Sequence, residues 1–134
     1  MIVVDTNLIG YLYLSSERTE QAERAFLKDP QWVAPLLWRS EFRSVLSHYI
    51  RRGILNVEEA EQIMDEAQAL MAGQEYEVVS SDVLRLVARS GCTAYDREFV
   101  ALAQELGLVL VTVDREVLRE FPEIAVALSE YVES

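Results

Sequence analysis

The sequence predicts an α/β fold: a single domain over residues 1–134 with a three-layer α/β/α arrangement around a mostly parallel, about five-stranded central sheet. Three observations predict it. Short apolar, β-branched runs alternate with helix-period segments along the whole chain. No internal repeat, low-complexity tract or linker interrupts them. The length suits one domain with one core, and a hydrophobic content of 51% supplies it. Strands separated by helices pair in parallel, because a crossover is needed to bring the next strand back in the same direction.

The first strand is "MIVVD", where Ile and Val run together and stop on a carboxylate. "NLIGYLYL" begins a short helix and "EQAERAFL" a second. "WVAP" is a short strand closed by Pro35. "LWRSEFRSVLSHYIRRG" is a helix with apolar residues at 38, 42, 45, 46, 49 and 50 and its stop at Gly53. "NVEEAEQIMDEAQALMAG" is the next, with Asn56 as N-cap and Glu59 placed for a capping box. "YEVVS" is a strand and "SDVLRLVARSG" a helix ending at Gly91. "TAYDREFVALAQELG" is a helix capped by Thr93 and stopped by Gly107. "LVLVTVD" is the clearest strand. "REVLREF" is a short helix before Pro122, "IAVAL" a last strand, and the tail "EYVES" is expected to fray.

The bulk numbers exclude several classes. A formal net charge of −11 argues against passive, charge-driven nucleic-acid binding and invites a basic partner. No apolar run approaches the roughly 20 residues of a membrane span. No basic segment precedes an apolar stretch at the N-terminus, so no secretory leader is expected. The single cysteine, Cys92, rules out an internal disulfide and suits a reducing cytoplasm; with no histidine near it in sequence, it reads as a small buried residue. Of the 12 basic residues only Lys28 is a lysine.

Four carboxylates draw attention. Asp5 and Asp114 each end a strand, and ligands of open parallel sheets bind beyond the C-terminal strand ends. Each also precedes a helix and suits an N-cap. Asp96 lies near a helix start, where the helix dipole favours it, yet it shares the apolar stripe of Phe99, Val100 and Ala103. Glu41 sits mid-helix on the face of Trp38 and Val45, away from any cap; Arg39 and Arg43, two residues away on either side, do not face it. Carboxylates sharing a crevice repel one another, and a hard divalent cation such as Mg²⁺ removes that cost. Asn7 and Thr112 stand two residues from Asp5 and Asp114 as uncharged hydrogen-bonding neighbours.

"MIVVDTN", "WRSEFRSVL", "CTAYDREFVALAQELGLVLVTVDREVL" and "FPEIAVAL" together resemble a PIN-domain ribonuclease, and more narrowly the VapC toxins of toxin–antitoxin pairs. The resemblance runs from Met1 to about Ser134. It implies an endoribonuclease cleaving RNA with Mg²⁺ or Mn²⁺, with Asp5, Glu41, Asp96 and Asp114 as the catalytic, metal-binding acidic set. Asp5 and Asp96 would be the direct ligands, and Asn7 and Thr112 the supporting polar residues. It further implies a homodimer and a cognate antitoxin, for which the acidic charge suggests a basic or arginine-bearing segment. Arg97 and Glu98 depart from the small residues expected after Asp96 and read as a bulky ion pair beside the site. Arg39, Arg43, Arg51 and Arg52 are candidate RNA contacts, Arg39 and Arg43 foremost, against an equally good reading as solvated helix faces with surface ion pairs. His48 lies about 10 Å along the helix from Glu41, too far to share a metal. Trp32, Trp38, Met64 and Met71 read as core or subunit interface.

Rival readings make different demands. An aspartyl-phosphate phosphatase wants an acid two residues after Asp5, where Asn7 stands. A phospho-receiver wants a lysine after a late strand, and the one lysine is Lys28. A non-catalytic binding module of the same fold is expected to have lost an acidic position, and all four are present.

Overall fold

The computed structural model describes residues 1–89 and 94–134. In chain order the elements are β1 (Ile2–Val4), α1 (Thr6–Tyr13), α2 (Thr19–Lys28), β2 (Trp32–Pro35), α3 (Leu37–Arg51), α4 (Val57–Leu70), β3 (Glu75–Tyr76), α5 (Ser80–Arg89), α6 (Ala94–Leu106), β4 (Leu110–Thr112), α7 (Arg115–Glu120), β5 (Ala125–Ala127) and α8 (Leu128–Glu133). The strands form one sheet in the order β3-β2-β1-β4-β5, and every pairing is parallel. The order carries the function-bearing consequence. The chain moves outward from β1 to β2 and β3, then returns to the other side of β1 for β4 and β5. Right-handed crossovers in opposite directions lay their helices on opposite faces, which gives the three layers. The reversal falls between β1 and β4, where a parallel sheet opens a crevice at its C-terminal edge.

The strands are buried as their apolar runs require: Ile2, Val3, Val4, Trp32, Val33, Ala34, Leu110 and Val111 are all in the core. Trp38, Phe42 and Leu46 give α3 its inward face, and Trp38 and Phe42 lie ring to ring at 6.0 Å. Trp32, Trp38, Met64 and Met71 are all buried, on the core side of the alternatives open to them. The helix stops at Gly53 and Gly107 adopt positive φ (73° and 66°), the left-handed turn that a side chain would strain. The α4 capping box is formed: Glu59 N–H donates to Asn56 Oδ1 at 2.8 Å, and Asn56 N–H to Glu59 Oε1 at 2.9 Å. No described helix is long and apolar enough to cross a membrane.

Two elements differ from expectation. The strand expected over "YEVVS" (76–80) is displaced to Glu75–Tyr76 and overlaps it only at Tyr76, because β2 gives way to α3 from Leu37 and leaves residues 77–79 no strand to pair with. The expected frayed tail is instead α8. Leu128 packs into the core, and Lys28 Nζ donates to the carbonyls of Tyr131 (2.6 Å) and Ser134 (2.9 Å) while lying over the Tyr131 ring. A long-range contact from the one lysine decides the fate of a segment whose local sequence argues for disorder. The expected stop at Gly91 and cap at Thr93, like the burial of Cys92, lie outside the described residues.

The capping box gives a direct test of the α3–α4 side. Asn56→Ala should cost about 1 kcal/mol, read as a lower urea midpoint at unchanged m-value. An unchanged midpoint would mean that α4 is held by packing alone.

Candidate active site

Asp5 follows β1 directly, and both oxygens of its carboxylate accept hydrogen bonds. Oδ1 accepts from Leu8 N–H at 3.2 Å, which caps α1. Oδ2 accepts from the Thr112 hydroxyl and from Val113 N–H, the latter at 3.1 Å. Thr112 ends β4, and its Oγ1 also accepts from Asp114 N–H at 3.1 Å. One buried hydroxyl therefore links the two strand ends on either side of the sheet reversal. Asp114 in turn caps α7, with Oδ1 accepting from Glu116 N–H (2.9 Å) and Val117 N–H (3.1 Å). Cap and crevice were competing explanations for both aspartates. Both hold together, because a carboxylate has enough lone pairs to satisfy backbone donors and still border a ligand site.

Glu41 enters from α3, half-buried, with its Oε1 accepting from the Thr6 hydroxyl at 2.6 Å. Asp96 enters from the first turn of α6. Together Asp5, Glu41, Asp96 and Asp114 border one crevice of about 320 Å³, with Thr6, Asn7, Ser44 and Thr112 among its polar lining and Val45, Phe99, Leu110 and Val117 as its apolar walls. All four expected carboxylates, Asn7 and Thr112 are thus brought to a common site. Thr6 and Ser44 complete it without having been singled out in the sequence. Thr6 had one signal, a buried-strand boundary followed by a small hydroxyl residue, but its bond to Glu41 spans 35 positions.

The electrostatics are unrelieved by the lining itself: no Lys or Arg is among its described residues. Burial raises the pKa of Asp5 above its ordinary 3.8, against the lowering effect of the hydrogen bonds from Thr112, Val113, Leu8 and Asn7. Burial likewise raises Glu41 above 4.5; the Thr6 bond opposes this, while the charges of Asp96, Asp5 and Glu98 add to it. Glu98 is raised by burial too. An all-oxygen, anionic crevice of this kind fits a hard divalent cation. Among the described residues, no three Asp, Glu, His or Cys side chains converge tightly enough to form a ready-made metal cage. Mg²⁺ takes one or two carboxylates directly and keeps several waters.

The basic residues fall differently from expectation. Arg39 is bound side-on to Glu75, with Nε and Nη2 each 2.5 Å from a carboxylate oxygen, and Trp38 Nε1 donates to the same carboxylate at 2.7 Å. This is the ion-pair alternative, and it ties α3 to the edge strand β3. Arg43 is exposed and donates to Ser40 Oγ at 3.1 Å. Neither arginine lines the crevice. The ion pair expected from Arg97 and Glu98 beside the site is replaced by a different arrangement. Arg97 is wholly buried, its guanidinium 3.9 Å from Glu120 and 5.9 Å from the Phe121 ring centroid. Successive helix residues point about 100° apart, so Arg97 braces α6 against the end of α7 while the charge of Glu98 bears on Glu41.

The raised carboxylates set a pH dependence whose sign is fixed. Asp5 and Glu41 hold their protons to higher pH in the folded state than in the unfolded chain, so the folded state binds more protons above the ordinary values of 3.8 and 4.5. Their contribution to stability therefore falls as pH rises through those values toward the raised ones. Asp29 and Glu75, whose pKa values are lowered by the N-terminal ammonium and by Arg39, act in the opposite sense. Subtracting Asp5→Asn from the parent isolates the crevice. In EDTA, the melting temperature of the variant relative to the parent should increase from about pH 4 to about pH 7. A constant or shrinking difference would contradict the charge repulsion.

Comparison with known proteins bears on the family and the fold. A family model described as PIN domain matches residues 2–125. Ribonuclease VapC3 of Pyrobaculum aerophilum is 34% identical over 126 residues, covering 92% of this chain and 96% of the relative. Two solved structures share the fold: PAE2754 from Pyrobaculum aerophilum (TM-score 0.77, 22% identity, 98% of this chain and 93% of that one) and FitAcB from Neisseria gonorrhoeae (TM-score 0.73, 17% identity, 96% and 99%). The chain belongs to the PIN-domain family, and within it to the VapC-type proteins.

Proposed function

We propose that this chain is an endoribonuclease that hydrolyses RNA phosphodiester bonds with Mg²⁺ or Mn²⁺, and that it is the toxin of a type II toxin–antitoxin pair. The observation that carries this reading is the crevice at the β1/β4 edge, which gathers carboxylates from four elements, in a chain that aligns over nearly its full length with a protein named as a ribonuclease.

Asp5 and Asp96 are the proposed direct ligands of the cation, with Glu41 and Asp114 completing the acidic set. A bound divalent ion supplies positive charge to the phosphoryl oxygens and lowers the pKa of water. The rest falls to side chains. Two donors from the end of β4, the Thr112 hydroxyl and Val113 N–H, and the backbone N–H groups of Asn7 and Leu8 at the start of α1 hold the Asp5 carboxylate in one orientation, so a ligand need not order it. Glu41, oriented by Thr6 and with its proton affinity raised, is placed to take the proton of a water that attacks phosphorus. Asn7 offers an uncharged amide to a phosphate oxygen, where a further carboxylate would repel it. Hydrolysis then breaks the P–O bond to the leaving ribose oxygen, which takes up a proton from solvent to leave as the hydroxyl.

The partners follow from the same charge. An antitoxin with a basic or arginine-bearing segment would cover the crevice by placing a guanidinium against its carboxylates. A homodimer and a cytoplasmic location belong to the same proposal.

Asp96→Asn separates chemistry from helix capping. As a first-turn residue alone, Asp96 would contribute a few tenths of a kcal/mol through the helix dipole. As a metal ligand, its loss should leave folding near normal and reduce RNA cleavage on the order of 100-fold or more. Full cleavage at low Mg²⁺ by a well-folded variant would overturn its assignment.

A further inference from the structure

A crevice with no Lys or Arg among its described lining residues, in a chain of net charge −11, must draw a polyanion with help from its flanks. Several arginines are already committed: Arg39 to Glu75, Arg24 beside Glu133, Arg89 beside Glu123, and Arg97 buried beside Glu120. One exposed arginine does border the path into the crevice. A second hollow, about 330 Å³, lies on α3 and is lined by Ser44, Val45, His48, Tyr49 and Arg51. It shares Ser44 and Val45 with the crevice, so the two adjoin.

Helical spacing explains why they adjoin. Glu41, Ser44, His48 and Arg51 follow one another at steps of three and four, which places them in a row along one helix face. Ten residues from Glu41 to Arg51 cover about 15 Å, a span of a few nucleotides. Arg51 is exposed and, among the described residues, donates to the neutral Ser47 hydroxyl alone, at 2.9 Å, so its charge remains available to a ligand. Tyr49 is half-buried and also lines a smaller hollow beyond Val45 that reaches Tyr11 and Asn7. It offers an aromatic surface against which a base can stack, independent of base identity.

We infer that this hollow is a subsite for single-stranded RNA, in which Arg51 and the His48 ring N–H hold a backbone phosphate next to the scissile one and Tyr49 supports a base. The inference rests on the nuclease reading above and adds the direction in which the strand leaves the carboxylates.

The test is steady-state cleavage of a short single-stranded RNA at several salt concentrations, with melting temperatures for each variant. Arg51→Gln should raise KM roughly tenfold with kcat little changed, and reduce the salt slope by about one. His48→Gln should raise KM in the same direction, and Arg51→Lys should retain most of the affinity. Arg52→Gln, exposed on the neighbouring residue but outside the hollow, should match the parent. Parental KM and salt slope in both Arg51→Gln and His48→Gln would overturn the subsite and leave the nuclease reading intact. So would a co-purifying protein lost on Arg51→Gln while KM stays fixed. If the parent cleaves nothing, anisotropy with the same labelled oligonucleotide decides. Binding weakened by Arg51→Gln would uphold the subsite as the nuclease reading falls, and absent or Arg51-indifferent binding would overturn it.

Discussion

The hydrogen bond from the Thr112 hydroxyl to the Asp5 carboxylate is the contact on which the rest of the site depends. It joins the ends of two neighbouring parallel strands at the point where the sheet reverses its winding. The same hydroxyl accepts from Asp114 N–H, which starts α7, and the same carboxylate caps α1. Two strands and two helices therefore meet at one buried carboxylate–hydroxyl pair. Val113 N–H adds a further donor. These bonds hold a negative charge in a place where burial disfavours it. The strain of collecting like charges is offset locally by hydrogen bonds, and its remainder is what a cation would relieve.

Much of this was legible in the sequence, for reasons that are local. Asp5 and Asp114 end apolar strands, and the strand-end rule for parallel sheets puts such residues at one edge. Glu41 stood out because a mid-helix glutamate on an apolar face needs a reason. The caps at Asn56 and the stops at Gly53 and Gly107 were visible because they depend on neighbouring residues alone. What escaped depends on distance along the chain. Thr6 meets Glu41 across 35 positions, Arg39 meets Glu75 across 36, and Lys28 reaches the C-terminal helix across 103. No spacing within one element reports such pairs. Arg97 was misplaced for a related reason: its burial against Glu120 and Phe121 follows from how α6 crosses the sheet.

The distribution of charge connects fold and proposed activity. An acidic chain that handles RNA cannot rely on a basic surface. It can concentrate negative charge at one point for a cation and leave a small number of arginines beside it for phosphate. Arg39 and Arg97 serve packing, one fixing an edge strand and the other bracing a helix. Arg51 stands where the crevice opens along α3. In the proposed arrangement the cation would control the chemistry and the arginine the path of the strand, so the two can be perturbed separately.

The central claim is that the carboxylates form one cation site assembled only in the folded chain. Thermal melting of the parent and of Asp5→Asn, each in EDTA and in saturating Mn²⁺, tests it most directly. Ligand binding to the folded state alone raises stability by about 2.7 kcal/mol at a hundredfold excess over Kd, which is several degrees for a domain of this size. The account predicts that rise in the parent and a much smaller one in Asp5→Asn. A parent that melts at the same temperature in EDTA and in Mn²⁺ would contradict it.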